Sequence, residues 1–379
     1  MRDLLEIRED IDVIDAQMLE LFKKRMLCAQ DVAEYKIANN KPVLDKVREE
    51  QKLEKLTSDA EDEFTRQGIR ELFSLIMSVS RKKQYRMLAE LASASSEFSE
   101  VEELDIDNAR IIYQGVEGAY SQAACMAYFG QCAKDAEHVA TWREAMEMIS
   151  DGRADYAVLP IENSTEGAII ENLDLLAEFD VAIVGEQIIS VNHALLGTPD
   201  SDLSSVRMVY SHPQAILQSD RFLRDHAEYR AEAVLNTAVA AKLVSDSKDP
   251  TKAAIAGEIN ADIYGLKILA SCIQDEKNNK TRFIIVSKNR VYMKKADKIS
   301  IMIELPHRSG SLYQILSHFI FNGLNMTKIE SRPVKDRDWE YRFYIDFEGN
   351  LNEDGVKNAL KGLKEETNSL KILGNYRQG

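Results

Sequence analysis

Within residues 1–90, Arg25, Lys36, Asp45, Arg48, Glu49, Ser80 and Gln84 are charged and polar side chains that could together bind a small anion. Leu4, Ile7, Ile11, Ile14, Met18 and Leu21 repeat at 3-4-3-4-3 intervals, one apolar stripe of a helix. Arg25 stands where that stripe calls for its next apolar residue, and a cation there needs a buried partner. Lys36 follows eleven residues later, about 20° around the helix and roughly 16 Å along it. Two long cations on one face could bracket a small dianion. Ser80 and Gln84, at i and i+4, share a face of a later helix. Asp45, Arg48 and Glu49 add charge of both signs just past the break at Asn39-Asn40-Lys41-Pro42. Read singly, each of these charges except Arg25 is a solvated helical face.

Further candidates sit at the ends of short apolar runs. Gly115-Val116-Glu117-Gly118-Ala119-Tyr120-Ser121 lies between a strand and a helix, where Ser121 could cap the helix and backbone amides could face an anion. Pro160-Ile161-Glu162-Asn163-Ser164-Thr165-Glu166-Gly167 gathers polar side chains at a strand's C-terminal end, the place where α/β folds bind ligands. Ser211-His212-Pro213-Gln214 is another such end, and Thr281-Arg282-Phe283 opens a last strand. Gly310-Ser311-Leu312 starts a helix after a strand, and Glu330-Ser331-Arg332-Pro333 closes the next strand.

Three kinds of pattern must position these groups. Residues 1–90 read as all-helical: one helix to about residue 38, roughly 50 Å long, then helices near 45–58 and 62–90. So long a helix has little core of its own and is expected to dimerise. Residues 91–107, small, polar and acidic, read as a linker. Residues 108–290 alternate strand and helix, an α/β domain expected to pair mainly in parallel. Residues 297–377 follow the βαββαβ order of an α+β ferredoxin-like domain.

The formal net charge of −15 argues against general nucleic-acid binding. No stretch has the roughly 20 apolar residues that span a bilayer, and the N-terminus reads as an acidic amphipathic helix rather than a signal peptide. The scattered Cys28, Cys125, Cys132 and Cys272 suggest neither zinc nor a disulfide framework. A cytoplasmic chain with free thiols is expected, and no metal or cofactor site is evident.

The eight residues Arg8, Arg25, Lys36, Asp45, Arg48, Glu49, Ser80 and Gln84 match one for one the active-site pattern of the all-helical chorismate mutases, which residues 1–90 resemble. The resemblance implies that Arg25 and Arg8, with Arg48 nearby, hold the carboxylates of chorismate. It implies that Lys36 and Gln84 donate to the ether oxygen, and that Glu49, Asp45 and Ser80 hold the hydroxyl and other polar edges. Such a rearrangement needs no nucleophile, only a held conformer and stabilised charge. Arg8 lies roughly 25 Å from Arg25 along one helix and about 100° off its face. If catalytic, it should therefore come from a partner chain, as the interlocked helical dimer of that family implies.

Residues 108–288 resemble prephenate dehydratase, with the Thr-Arg-Phe signature intact at Thr281, Arg282 and Phe283. That resemblance implies two α/β lobes, like type II periplasmic binding proteins, with a cleft between them. Thr281 would be the main catalytic residue. Ser121, Asn163, Ser164, Thr165, Gln218, Arg282 and Phe283 would line the cleft, with His212 and Gln214. A hydroxyl such as Thr281 could protonate or hydrogen-bond the departing hydroxide of prephenate, and neither reaction needs a cofactor. Residues 297–377 resemble the ACT domain of phenylalanine-regulated dehydratases, although Ser311 and Tyr313 replace an Ala and a Val common in its first motif. There Gly310, Ser311, Leu312, Asn325, Glu330, Ser331, Arg332 and Pro333 would bind phenylalanine at a dimer interface, and inhibition would follow.

Two other readings fit parts of the chain. A non-enzymatic, amino-acid-responsive binding protein leaves the eight matched positions unexplained. Arogenate in place of prephenate fits poorly beside a domain that makes prephenate.

Overall fold

The computed structural model describes residues 2–91, 97–334, 337 and 339–379. Its N-terminal part is three helices, α1 (Leu4–Ala38), α2 (Lys46–Thr57) and α3 (Glu63–Leu91). Asp45 caps α2 by accepting the Arg48 N–H at 3.1 Å. On α1 only Ala29 and Ala33 are buried. The stripe of Leu4, Ile11, Ile14, Met18 and Leu21 lies 47–64% exposed.

The middle of the chain runs β1 (Ser99–Val101), β2 (Ile111–Gln114), α4 (Tyr120–Phe129), β3 (Glu137–Val139), α5 (Trp142–Ser150), β4 (Tyr156–Asn163), β5 (Gly167–Ala168), α6 (Ile170–Glu178), β6 (Ala182–Ser190) and β7 (Ala194–Gly197). It continues through β8 (Met208–Ser211), α7 (Pro213–Gln218), α8 (Asp220–Asp225), β9 (Arg230–Ala233), α9 (Thr237–Ser247), β10 (Lys252–Ala256), α10 (Ile259–Tyr264), β11 (Lys267–Ala270), β12 (Lys280–Ser287) and β13 (Val291–Met293). The last part is β14 (Lys298–Glu304), α11 (Ser311–Phe321), β15 (Met326–Pro333), β16 (Tyr341–Glu348), α12 (Asp354–Glu366) and β17 (Ser369–Tyr376), a βαββαβ order. Its strands lie side by side as β15-β16-β14-β17.

The described residues form two compact units, those within 1–96 and 301–371, and those within 97–300 and 372–379. Inside the second unit, β11-β7-β10-β8-β9 form one sheet and β6-β12-β4-β2-β3 lie side by side in another. Apolar side chains on both faces bury these strands. Ile111, Tyr113, Val158, Val184, Phe283 and Ile285 pack with Ala124 and Phe129 of α4. Leu196, Ala254 and Ala256 pack with Ala240, Ala241 and Val244 of α9.

Two expectations are corrected. Pairing in this unit is mixed rather than mainly parallel, because β12 runs antiparallel to both β4 and β6 and β7 runs antiparallel to β10 and β11. An apolar run shows that a strand is buried, and not which way its neighbours run. Ser99–Val101, inside the segment read as a linker, is a strand paired with Val291–Met293. Residues 92–96 of that segment lie outside the described residues.

Candidate active sites

The first site is a cavity of about 330 Å³ walled by α1, α2 and α3. Arg25, Lys36, Asp45, Arg48, Glu49, Ser80 and Gln84 all line it, with Lys52, Arg81, Val43 and Met77. Five cations face two carboxylates, which suits a small polyanion. Arg25 donates to Ser80 Oγ and to the Ile76 carbonyl, so the cation on the apolar stripe finds its partners on α3. Burial pushes the Arg25 guanidinium and the Lys36 ammonium below their usual values, against the pull of nearby carboxylates. Lys36 Nζ donates to the Val43 carbonyl at 2.5 Å. Gln84 is buried; its Nε2 donates to the Ser80 carbonyl at 3.2 Å, while Oε1 has no hydrogen-bond partner among the described residues. Arg8 is exposed on α1 and does not line the cavity.

Arg81 was not apparent in the sequence as a site residue. It is 6% exposed, and its Nη1 donates to both Glu49 oxygens at 2.7 and 2.6 Å. Its position directly after Ser80 on α3 is the one signal that could have singled it out.

The second site is a cleft of about 500 Å³ in the second unit. Ser121, Asn163, His212, Gln214, Gln218, Thr281 and Phe283 line it. Thr281 pairs across the sheet with Asn163. Asn163 Nδ2 donates to Thr281 Oγ1 at 3.0 Å and to Asn279 Oδ1 at 2.7 Å. Its Oδ1 accepts Thr165 Oγ1 at 2.6 Å and the Thr165 N–H at 3.0 Å. Thr281 Oγ1 therefore accepts from Asn163, which leaves its hydrogen available to the cleft.

Four expected positions differ. Arg282 does not line the cleft; alternation along β12 turns it to the face opposite Thr281 and Phe283. There it holds Glu162 at 2.7 Å and Glu186 at 3.0 Å. Ser164 and Thr165 do not line the cleft either. Ser164 Oγ instead donates to the Asn278 carbonyl at 3.2 Å, and Thr165 is spent on Asn163. Ser121 lines the cleft but is not the cap: α4 begins at Tyr120, with Ala119 at the cap position. His212 caps α7, accepting the Gln214 N–H at 3.2 Å.

A polar chain escaped the sequence reading. Gln218 Nε2 donates to Glu166 Oε1 at 2.5 Å, and its Oε1 lies 2.9 Å from His193 Nε2. Tyr120 Oη lies 3.2 Å from His193 Nδ1. The Glu166 carboxylate can only accept, so it turns the Gln218 oxygen toward His193 and puts the imidazole proton on Nε2. Burial pushes the His193 imidazole down, partly opposed by Gln218, which favours the neutral ring. The available signal was position: His193 follows the end of β6.

In the C-terminal segment, Ser311 and Leu312 line a cavity of about 380 Å³ with Trp339 and Tyr341, whereas Gly310 lines another, beside α3. Glu330, Ser331, Arg332 and Pro333 line neither. They lie on β15, paired with β16. Asn325 Nδ2 donates to Glu348 Oε1 at 3.0 Å.

The chorismate mutase type II family matches residues 7–85, and the prephenate dehydratase family matches residues 111–291. The bifunctional chorismate mutase/prephenate dehydratase of Escherichia coli (strain K12) is 32% identical over 385 residues, 98% of this chain and 96% of that protein. The protein of the same description from Aquifex aeolicus (strain VF5) is 33% identical, covering 99% and 98%. A crystal structure of prephenate dehydratase in complex with L-Phe from Arthrobacter aurescens aligns with a TM-score of 0.65 at 31% identity, covering 71% of this chain and 90% of that one. With the two family matches in one chain and the likeness running nearly end to end, the chain belongs to the bifunctional chorismate mutase/prephenate dehydratases.

Proposed function

We propose that the helical cavity rearranges chorismate to prephenate, that the middle cleft turns prephenate into phenylpyruvate, and that phenylalanine bound to the C-terminal segment restrains the enzyme. The observation that carries the first assignment is the gathering of seven of the eight expected mutase positions around one cavity. Arg25 and Arg48 hold carboxylates there. Lys36 and the second Nε2 hydrogen of Gln84 donate to the ether oxygen, where charge grows in the transition state. Asp45, Glu49 and Ser80 grip the hydroxyl and remaining polar edges. The rearrangement breaks a carbon–oxygen bond as a carbon–carbon bond forms, with no proton moved, so positioning and charge suffice.

The eighth position, Arg8, comes from a second copy of the chain. The exposed apolar stripe of α1 supports this, since an uncovered patch of that length is what a helical partner would bury. In the cleft, Thr281 gives its hydroxyl hydrogen to the departing hydroxide and regains a proton from solvent, so that water and carbon dioxide leave as the ring becomes aromatic. Asn163 orients Thr281, and the two lobes resemble those of type II periplasmic binding proteins. Domains at 1–90, 108–290 and 297–377 fit this division.

The C-terminal segment is read as an ACT domain. Its strand order and the Glu330–Pro333 motif on β15 support that reading, as does L-Phe in the Arthrobacter relative. Restraint requires phenylalanine to favour one state over another. The test is phenylpyruvate formation from chorismate with and without phenylalanine. Slower turnover with phenylalanine is expected, and unchanged rates at saturating phenylalanine would remove the regulatory part.

A further inference from the structure

Two consecutive carboxylates that do not line the mutase cavity reach its walls. Both stand at the end of α12, in the C-terminal βαββαβ segment. Glu365 Oε2 accepts the backbone N–H groups of Val43 at 3.2 Å and Leu44 at 3.3 Å. The Leu44 N–H belongs to the same peptide unit as the Val43 carbonyl, which receives Lys36 Nζ at 2.5 Å. An acceptor at one end of a peptide strengthens the acceptor at its other end, so Glu365 both fixes and polarises the group that holds Lys36.

Glu366 takes the opposite wall. Its Oε1 accepts Arg81 Nε at 2.8 Å and its Oε2 accepts Arg81 Nη2 at 3.3 Å. The same guanidinium grips Glu49 through Nη1. Arg81 and Glu366 are almost wholly buried. His318 Nε2 stands 3.2 Å from Glu366 Oε2, and the Tyr85 hydroxyl 3.4 Å from Oε1. Burial alone would raise the Glu366 carboxyl, but His318 and Arg81 hold it down at about 2. It is therefore a full negative charge at neutral pH, and Arg81 cannot swing toward solvent without giving up both of its hydrogen bonds to that buried carboxylate.

We propose that Glu365 and Glu366 are positioning residues for the chorismate rearrangement, Glu365 acting on Lys36 through the Val43–Leu44 peptide and Glu366 acting on Glu49 through Arg81. The C-terminal segment is then a working part of the mutase site. This rests on Lys36 and Glu49 being chorismate-binding groups, and it assigns the two carboxylates different kinetic signatures. Lys36 meets charge that develops only in the transition state, so loosening it lowers kcat. Glu49 meets a hydroxyl present in substrate and transition state alike, so loosening it raises KM.

The experiment uses the full chain carrying Glu365→Ala, Glu365→Gln or Glu366→Gln. Chorismate consumption gives kcat and KM, and dehydration of supplied prephenate on the same sample reports an intact fold. Glu365→Ala is expected to lower mutase kcat about tenfold with KM within about twofold, the loss of a charged hydrogen bond. Glu365→Gln keeps an oxygen acceptor and should recover most of that loss. Glu366→Gln is expected to raise KM about tenfold. Wild-type mutase constants in Glu365→Ala would overturn the proposal, as would parallel loss of both activities, which would make Glu365 a folding residue. Should Glu366→Gln fail to fold, the half-buried Glu365 decides alone. Full mutase activity in Lys36→Ala would instead overturn the reading of the cavity beneath it.

Discussion

Replacing Thr281 by Val keeps shape and removes one hydroxyl, and the consequences for fold and for catalysis separate cleanly. Thr281 Oγ1 accepts one hydrogen bond, from Asn163 Nδ2. Asn163 stays fixed by Asn279 and by Thr165 when that bond is lost. One buried N–H is then left unsatisfied, at a cost of about 1–2 kcal/mol. A few degrees of thermal midpoint cover that change. A hydroxyl that protonates the leaving group supplies far more, on the order of 10² to 10⁴ in rate. Phenylpyruvate formation from supplied prephenate should therefore fall by at least about 100-fold, which corresponds to about 2.7 kcal/mol of barrier. Mutase activity of the same sample should stay at the wild-type level. Thr281→Ser, which keeps the donor, should retain much of the dehydratase rate. If Thr281→Val kept a third or more of wild-type kcat while folded, Thr281 would not be the proton donor, and Asn163 would be holding it for another reason.

Because burial lowers the Lys36 pKa, the mutase should lose its essential cation as pH rises through a value below the ordinary lysine figure of about 10.4. Lys36→Arg keeps its proton and should remove that alkaline limb; a limb lying above the ordinary value would contradict the assignment. Glu366, held at about 2 against 4.5 for a free carboxyl, adds stability that is complete above 4.5 and is lost as pH falls toward 2. Over that window the thermal midpoint of the wild type should fall more steeply than that of Glu366→Gln, and parallel curves would refute the coupling. If Arg8 acts on its partner's cavity, mixing inactive Arg8→Ala chains with inactive Lys36→Ala chains should restore mutase activity in hybrid dimers, whereas no recovery in demonstrated hybrids would place Arg8 elsewhere. Gly118 has a φ of +87°, and a Cβ there would overlap the Asn260 carboxamide. Gly118→Ala should therefore cost about 1–3 kcal/mol, measurable as a lower denaturant midpoint; an unchanged midpoint would show that Asn260 yields freely.

The helices were legible because their apolar residues recur at one period over many turns. The long helix expected to about residue 38 is Leu4–Ala38. Within the mutase cavity, spacing brought Arg25 and Lys36 onto one face, and both face the same cavity. Arg81 was hidden, because its partners Glu49 and Glu366 lie 32 and 285 residues away in sequence. Strand ends near Asn163, Ser211, Thr281 and Pro333 are legible, but strand directions are not, since burial on both faces erases the alternation that would report sheet orientation. The contiguous Thr281-Arg282-Phe283 was read as one cleft-lining unit, yet a strand's period of two sends its middle residue to the other face. His193 sits in no recognisable spacing, and only the fold brings it to Gln218 and Tyr120.

Given chorismate alone, the purified chain can be followed for prephenate and phenylpyruvate with time. Chorismate should disappear and phenylpyruvate form, with Lys36→Ala blocking the first step and Thr281→Val the second. Prephenate accumulating without phenylpyruvate would contradict the assignment of the middle cleft. No turnover of either chorismate or supplied prephenate by folded protein would contradict the account as a whole.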